Sequence, residues 1–107
     1  MSWTYSEHLN LQELQKSARP VLIFKHSNRC SISSMAFSRI QKSEKELNEK
    51  FDFYLIDVVS DRSLSLQLAD ELAVQHESPQ AIVLNQGKVI YSASHMAINP
   101  QEILSLV

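Results

Sequence analysis

Cysteine is the scarcest reactive group in this sequence: Cys30 stands alone among 107 residues. A lone thiol closes no internal disulfide and suits a reducing compartment better than an oxidising one, so any disulfide the chain forms joins it to another molecule. One glycine and three prolines leave no linker-like or low-complexity stretch, and a single domain over residues 1–107 is expected. Ten basic against twelve acidic side chains, with no basic block or stripe, give a phosphate backbone nothing to bind, which excludes nucleic acid as a partner. The longest apolar runs, such as Val21 to Phe24 and Ala81 to Leu84, fall far short of a bilayer core of about 30 Å. Met1 to Asn10 lack the basic and apolar regions of a secretory signal, so a cytoplasmic protein without membrane contact is expected. The scattered histidines and one cysteine have no compact ligand spacing, and neither a metal nor a cofactor is expected.

What is present is a regular alternation of elements. Leucines recur on one side of Ser6 to Leu14, predicting a helix that Arg19-Pro20 ends. Val21-Leu22-Ile23-Phe24-Lys25-His26 is an apolar run with a polar end, the mark of a strand buried on both faces. Ser27 and Asn28 are good helix N-cap types, and Ile32, Met35, Ala36 and Ile40 keep helical spacing to about Leu47, which places Cys30 at or just before a helix N-terminus. Phe51 to Val59, rich in aromatic and β-branched residues, predicts a second strand. Ser60-Asp61 open a helix with Leu64, Leu68 and Leu72 at intervals of four. Gln80 to Leu84 and Lys88 to Ala93 flank Asn85-Gln86-Gly87 as a hairpin, and Pro100 opens a last helix through Ile103 and Leu104. Two early β–α–β crossovers followed by an antiparallel hairpin make an α/β domain with a mixed four-stranded sheet flanked by about four helices, the element order of a thioredoxin-like fold.

The chemistry gathers around Cys30. The segment Cys30-Ser31-Ile32-Ser33 has the form C-x-x-S, with a hydroxyl where dithiol oxidoreductases carry a second cysteine. Residues i and i+3 on a first helical turn are neighbours, so Ser33 is placed to hydrogen-bond the Cys30 sulfur. Helix N-terminal N–H groups favour thiolate over thiol, and Lys25, His26 or Arg29 would add to this if they face the site. The plain alternative is a small buried hydrophobe. In a thioredoxin-like arrangement Pro79, opening the third strand, is expected to be cis and to stand beside the cysteine, freeing the Ser78 backbone to pair with an incoming chain. His26, His76 and His95 titrate near neutrality and are candidates for proton transfer, although each would serve equally well as a side chain satisfied by a backbone carbonyl. Arg29 and Arg62 are candidate docks for a carboxylate-bearing small thiol, with surface solubility as their ordinary role.

Lys25-His26-Ser27, Cys30-x-Ile32-Ser33, His76-Glu77-Ser78-Pro79-Gln80 and Ser94-His95 occur in that order, and together they resemble the motifs of the monothiol bacilliredoxin family. The resemblance implies a thioredoxin-like fold and the removal of a low-molecular-weight thiol, bacillithiol or an equivalent, from mixed disulfides on client proteins. It implies Cys30 as the attacking cysteine and Pro79 as the cis-proline. Ser31 departs from the proline the family often carries there. With no resolving cysteine, turnover would require an external reductant. Two other classes compete: a non-enzymatic partner-binding or redox-sensing module, and a cluster-bridging dimer of the single-cysteine glutaredoxin kind, which the absence of a C-G-F-S loop disfavours.

Overall fold

A computed structural model describes residues 3–5, 14, 16, 19–27 and 29–107. The helix expected over residues 6–14 lies outside the described residues except for Leu14, which is buried beside Val21, Ile23 and Leu68. The four expected strands form as β2 (Val21–His26), β3 (Asp52–Asp57), β4 (Gln80–Asn85) and β5 (Lys88–Ser94). A short strand that the sequence pattern does not announce, β1 (Trp3–Tyr5), adds an edge, and among the described residues the sheet order is β1-β3-β2-β4-β5. β3 runs parallel to β1 and β2, whereas β4 is antiparallel to β2 and β5. The central strands β2 and β4 are buried over their first five residues, as their unbroken apolar character requires.

Helices cover both faces. On one face α1 (Ser31–Lys42), α2 (Glu44–Lys50) and α4 (Pro100–Leu104) bring Ala36, Ile40, Leu47 and Ile103 onto Leu22, Phe24, Phe53 and Val83. On the other, α3 (Arg62–Leu72) sets Leu68 on Ile23, Ile56 and Ile82. Residues alternate across the sheet along β2, so Phe24 and His26 face α1 while Ile23 and Lys25 face α3.

Local chemistry sets the boundaries that spacing alone misplaces. The helix expected to run unbroken to Leu47 divides at Ser43, whose N–H bonds back to the Ile40 carbonyl at 3.1 Å in a tightened turn. The strand expected to reach Val59 stops at Asp57 because its carboxylate accepts from the N–H groups of Val59 and Ser60, at 2.9 and 3.2 Å, folding an Asx turn. The hairpin loop is only Gln86-Gly87, both at positive φ, the two-residue form that matches strand twist. Asn99 caps α4 by accepting from the Gln101 N–H at 2.9 Å, with Pro100 in the first helical position.

Candidate active site

β2 delivers the chain to the end of the sheet, and a turn closed by the Cys30 N–H on the Ser27 carbonyl, at 3.2 Å, redirects it into α1. Cys30 is itself the N-cap of that helix, in extended geometry, and its carbonyl accepts the Ser34 N–H at 3.1 Å. Cys30 thus lies at the helix N-terminus as expected, although the cap is not one of the two N-cap types before it: the Ser27 carbonyl serves the turn, and Asn28 lies outside the described residues. The thiol is free and half-buried, and the first turn of α1 holds no acidic side chain. The unpaired N–H groups of a twelve-residue helix therefore lie at the sulfur's end of α1, where the first turn adds no opposing carboxylate.

Ser33 is fully buried, but its hydroxyl is engaged elsewhere than at the sulfur. It lies 2.7 Å from His26 Nδ1 and accepts the Ser27 N–H at 3.0 Å. The His26 ring is held against Phe37 and Phe24, with centroids 4.8 and 5.8 Å away. Burial pushes its pKa down from the ordinary histidine value, partly offset by Asp57, its register partner on β3.

Lys25 does not face the thiol. It is fully buried on the α3 face, where Nζ donates to the Ser65 carbonyl at 3.0 Å and meets His76 Nδ1 at 3.2 Å. An ammonium has only hydrogens to offer, so Nδ1 of His76 accepts and the ring proton sits on Nε2. Burial lowers the Lys25 pKa from 10.5 to about 8. Burial, Lys25 and Arg62 together lower that of His76 against the opposing pull of Glu77.

The loop bearing His76 is pinned at three further points. The Ser94 hydroxyl bonds the Glu77 carboxylate, and the His95 N–H donates to the Pro79 carbonyl at 3.0 Å. Gln80 Nε2 donates to the Gln75 carbonyl at 2.9 Å. The Ser78–Pro79 peptide bond is cis, and Pro79 is buried. His95 is exposed and sits at φ 55, a left-handed conformation uncommon for a residue with a Cβ. Arg29 and Arg62 are both exposed, and the charge of Arg62 is felt by His76. The segments picked out in the sequence thus meet through His26 with Ser33, Lys25 with His76, Glu77 with Ser94 and Pro79 with His95. Sequence reasoning missed the roles of Glu77 and Ser94, although both stand inside the motifs. Among the described residues no three His, Cys, Asp or Glu side chains gather as a metal site would need.

The family model of the monothiol bacilliredoxin BrxC matches residues 4–103. The chain belongs to the monothiol bacilliredoxin family. This bacilliredoxin is also similar to a solved thioredoxin-fold oxidoreductase, at 27% identity and TM-score 0.84, over 97% of its own chain and 92% of the other. The thioredoxin of Malassezia sympodialis matches at 19% identity and TM-score 0.65 over 88% and 76% of the two chains. A mutant thioredoxin from Halobacterium salinarum matches at 14% and 0.72 over 99% and 88%. These two share the fold. Family and fold together support a redox thiol function for the bacilliredoxin's single cysteine, and no described helix is long and apolar enough to cross a membrane.

Proposed function

We propose that this bacilliredoxin removes a low-molecular-weight thiol of the bacillithiol type from mixed disulfides on client proteins. The observation that carries the reading is a free, half-buried thiol at the N-cap of α1, in a chain of the monothiol bacilliredoxin family. Cys30 thiolate attacks the small thiol's sulfur; a new S–S bond forms on Cys30, the old one breaks, and its electron pair leaves on the client sulfur as thiolate. A second small thiolate, or another redox protein, then attacks the adduct and returns Cys30 as thiolate. The external reductant supplies the electrons, and the reducing cytoplasm is the compartment that provides it.

The other residues take supporting roles. The Ser78-Pro79 segment offers backbone to the client chain, while Arg62 and Arg29 supply positive charge to the carboxylates of the small thiol. His76, with Nδ1 occupied by Lys25, keeps its ring proton on Nε2, and His95 and His26 are the other candidates for proton transfer. Ile32, Met35 and Met96 form an exposed apolar rim, at 40%, 53% and 57% exposure, on α1 and the turn His95–Ala97 packed against it. Such a rim suits a protein client.

The same rim favours a second reading, a partner-binding module in which Cys30 is only a sensor. A client carrying bacillithiol separates them. Wild type is expected to release the client thiol, and Cys30→Ser to leave it modified while keeping its fold; release by Cys30→Ser, or stable client binding without release by wild type, contradicts the exchange reading.

A further inference from the structure

We propose that Lys25 is a positioning residue for the client: through His76 it latches residues 75–79 onto the α3 face of the sheet, and protonation of His76 releases the latch. The proposal rests on the reading that the Ser78-Pro79 backbone receives the client chain, and it says what holds that backbone in place. Lys25 and Gln80 are register partners on β2 and β4, so their side chains share one face. They grip consecutive residues of one loop: Gln80 Nε2 donates to the Gln75 carbonyl at 2.9 Å, and Lys25 Nζ to His76 Nδ1 at 3.2 Å. Lys25 is in turn fixed from α3 by the Ser65 carbonyl, at 3.0 Å. Burial brings the Lys25 pKa to about 8, so its charge is held at a cost that an apolar side chain of similar size would avoid. What the lysine adds is direction: one hydrogen aimed at the helix and one at the loop.

Protonation separates this tie from the others. An ammonium has three hydrogens and a neutral amine two, enough in either form for both Ser65 and His76. Alkali therefore leaves the latch closed. An imidazolium carries a hydrogen on each ring nitrogen, so once His76 is protonated Nδ1 no longer accepts, and two cations meet. Acid therefore opens it. The other ties do not switch in this way: a Glu77 carboxyl accepts from the Ser94 hydroxyl in either protonation state, and the Gln75 and Pro79 contacts use backbone carbonyls. His76 is half-buried rather than sealed from solvent. Burial, Lys25 on β2 and Arg62 on α3 oppose its protonation, while Glu77 beside it favours it, so release falls below the ordinary histidine range.

The test follows client release against client concentration, between about pH 5 and 8, for wild type, Lys25→Met and His76→Asn. Proton–nitrogen correlation on wild type labelled with nitrogen-15 in its histidine rings reads the state of His76 in parallel. In His76→Asn the amide Oδ1 takes the place of Nδ1 and accepts at every pH. As His76 Nδ1 becomes protonated, the half-saturating client concentration of wild type is expected to rise about tenfold over that of His76→Asn, the value of one charge-assisted hydrogen bond. The rate at saturation keeps a constant ratio between the two, because titration of Cys30 and of the client acts on both alike. Lys25→Met is expected to show the raised half-saturation throughout the range. If that variant does not fold, wild type against His76→Asn decides. Half-saturation that runs parallel in these two, or a His76 Nδ1 already protonated at neutral pH, overturns the latch. Client release with either result removes the latch and leaves the proposed function standing; no release by wild type at any pH removes the proposed function and the client the latch would serve, while the ring spectra still report whether the tie exists.

Discussion

Lys25 shows how differently two adjacent side chains behave when a strand is buried on both faces. It follows Phe24 in an apolar run and precedes His26, yet alternation sends it to the α3 face, where the Ser65 carbonyl and His76 receive it. The motif Lys25-His26-Ser27 marks the residue as informative, but nothing in the sequence says which face it takes, because the far partner, His76, is 51 positions away. A buried ammonium costs stability while it is charged. Its folded pKa, about 8, lies below the unfolded 10.5, so between these values the unfolded chain binds more protons and stability rises with pH. Chemical denaturation from pH 8 to 10 is expected to show that rise, below the range of Tyr91, which burial pushes up. Lys25→Met is expected to abolish the rise and to stabilise the protein near pH 7, by at most about 3 kcal/mol, less what the stranded partners cost. His95 offers a second test at this scale. At φ 55 a glycine avoids the Cβ penalty, so His95→Gly is expected to keep or slightly raise the melting temperature, and slowed client release in that folded variant would assign the imidazole a role in exchange.

At the scale of elements, the strands and helices were legible because their apolar periods are clean, and their ends were less so because ends are made by single polar groups. Asp57 ends β3 with its carboxylate, Ser43 divides α1 from α2, and Cys30 rather than an N-cap type residue opens α1. The edge strand β1 has only three residues, too few for period-two alternation to register. Register supplies what spacing cannot: β2 and β3 set His26 opposite Asp57. That anion favours the imidazolium and partly offsets burial, so Asp57→Asn, which keeps an acceptor for the turn, is expected to lower the His26 pKa further in an NMR titration. An unchanged value would mean that the two strands do not hold these side chains in electrostatic contact.

For the molecule as a whole, the fold class followed from element order, and the candidate site followed from four short segments that the fold then brings into contact. His26 and His76 both have lowered pKa values, so below the ordinary histidine range the unfolded chain takes up protons that the folded one resists. Stability is accordingly expected to fall as pH drops through and below about 6.5, and thermal melts of His26→Asn and His76→Asn should show a shallower acid limb. The apolar rim argues that clients are proteins: Met35→Glu with Met96→Glu is expected to slow exchange with a modified protein and leave exchange with a small disulfide nearly unchanged. The central claim, that Cys30 accepts the small thiol, is tested most directly by single-turnover mass spectrometry. Reduced protein is mixed with a bacillithiol-modified client and both intact masses are read. The account predicts that the client loses one bacillithiol as this chain gains one at Cys30; a client that stays modified beside an unmodified Cys30 would contradict it.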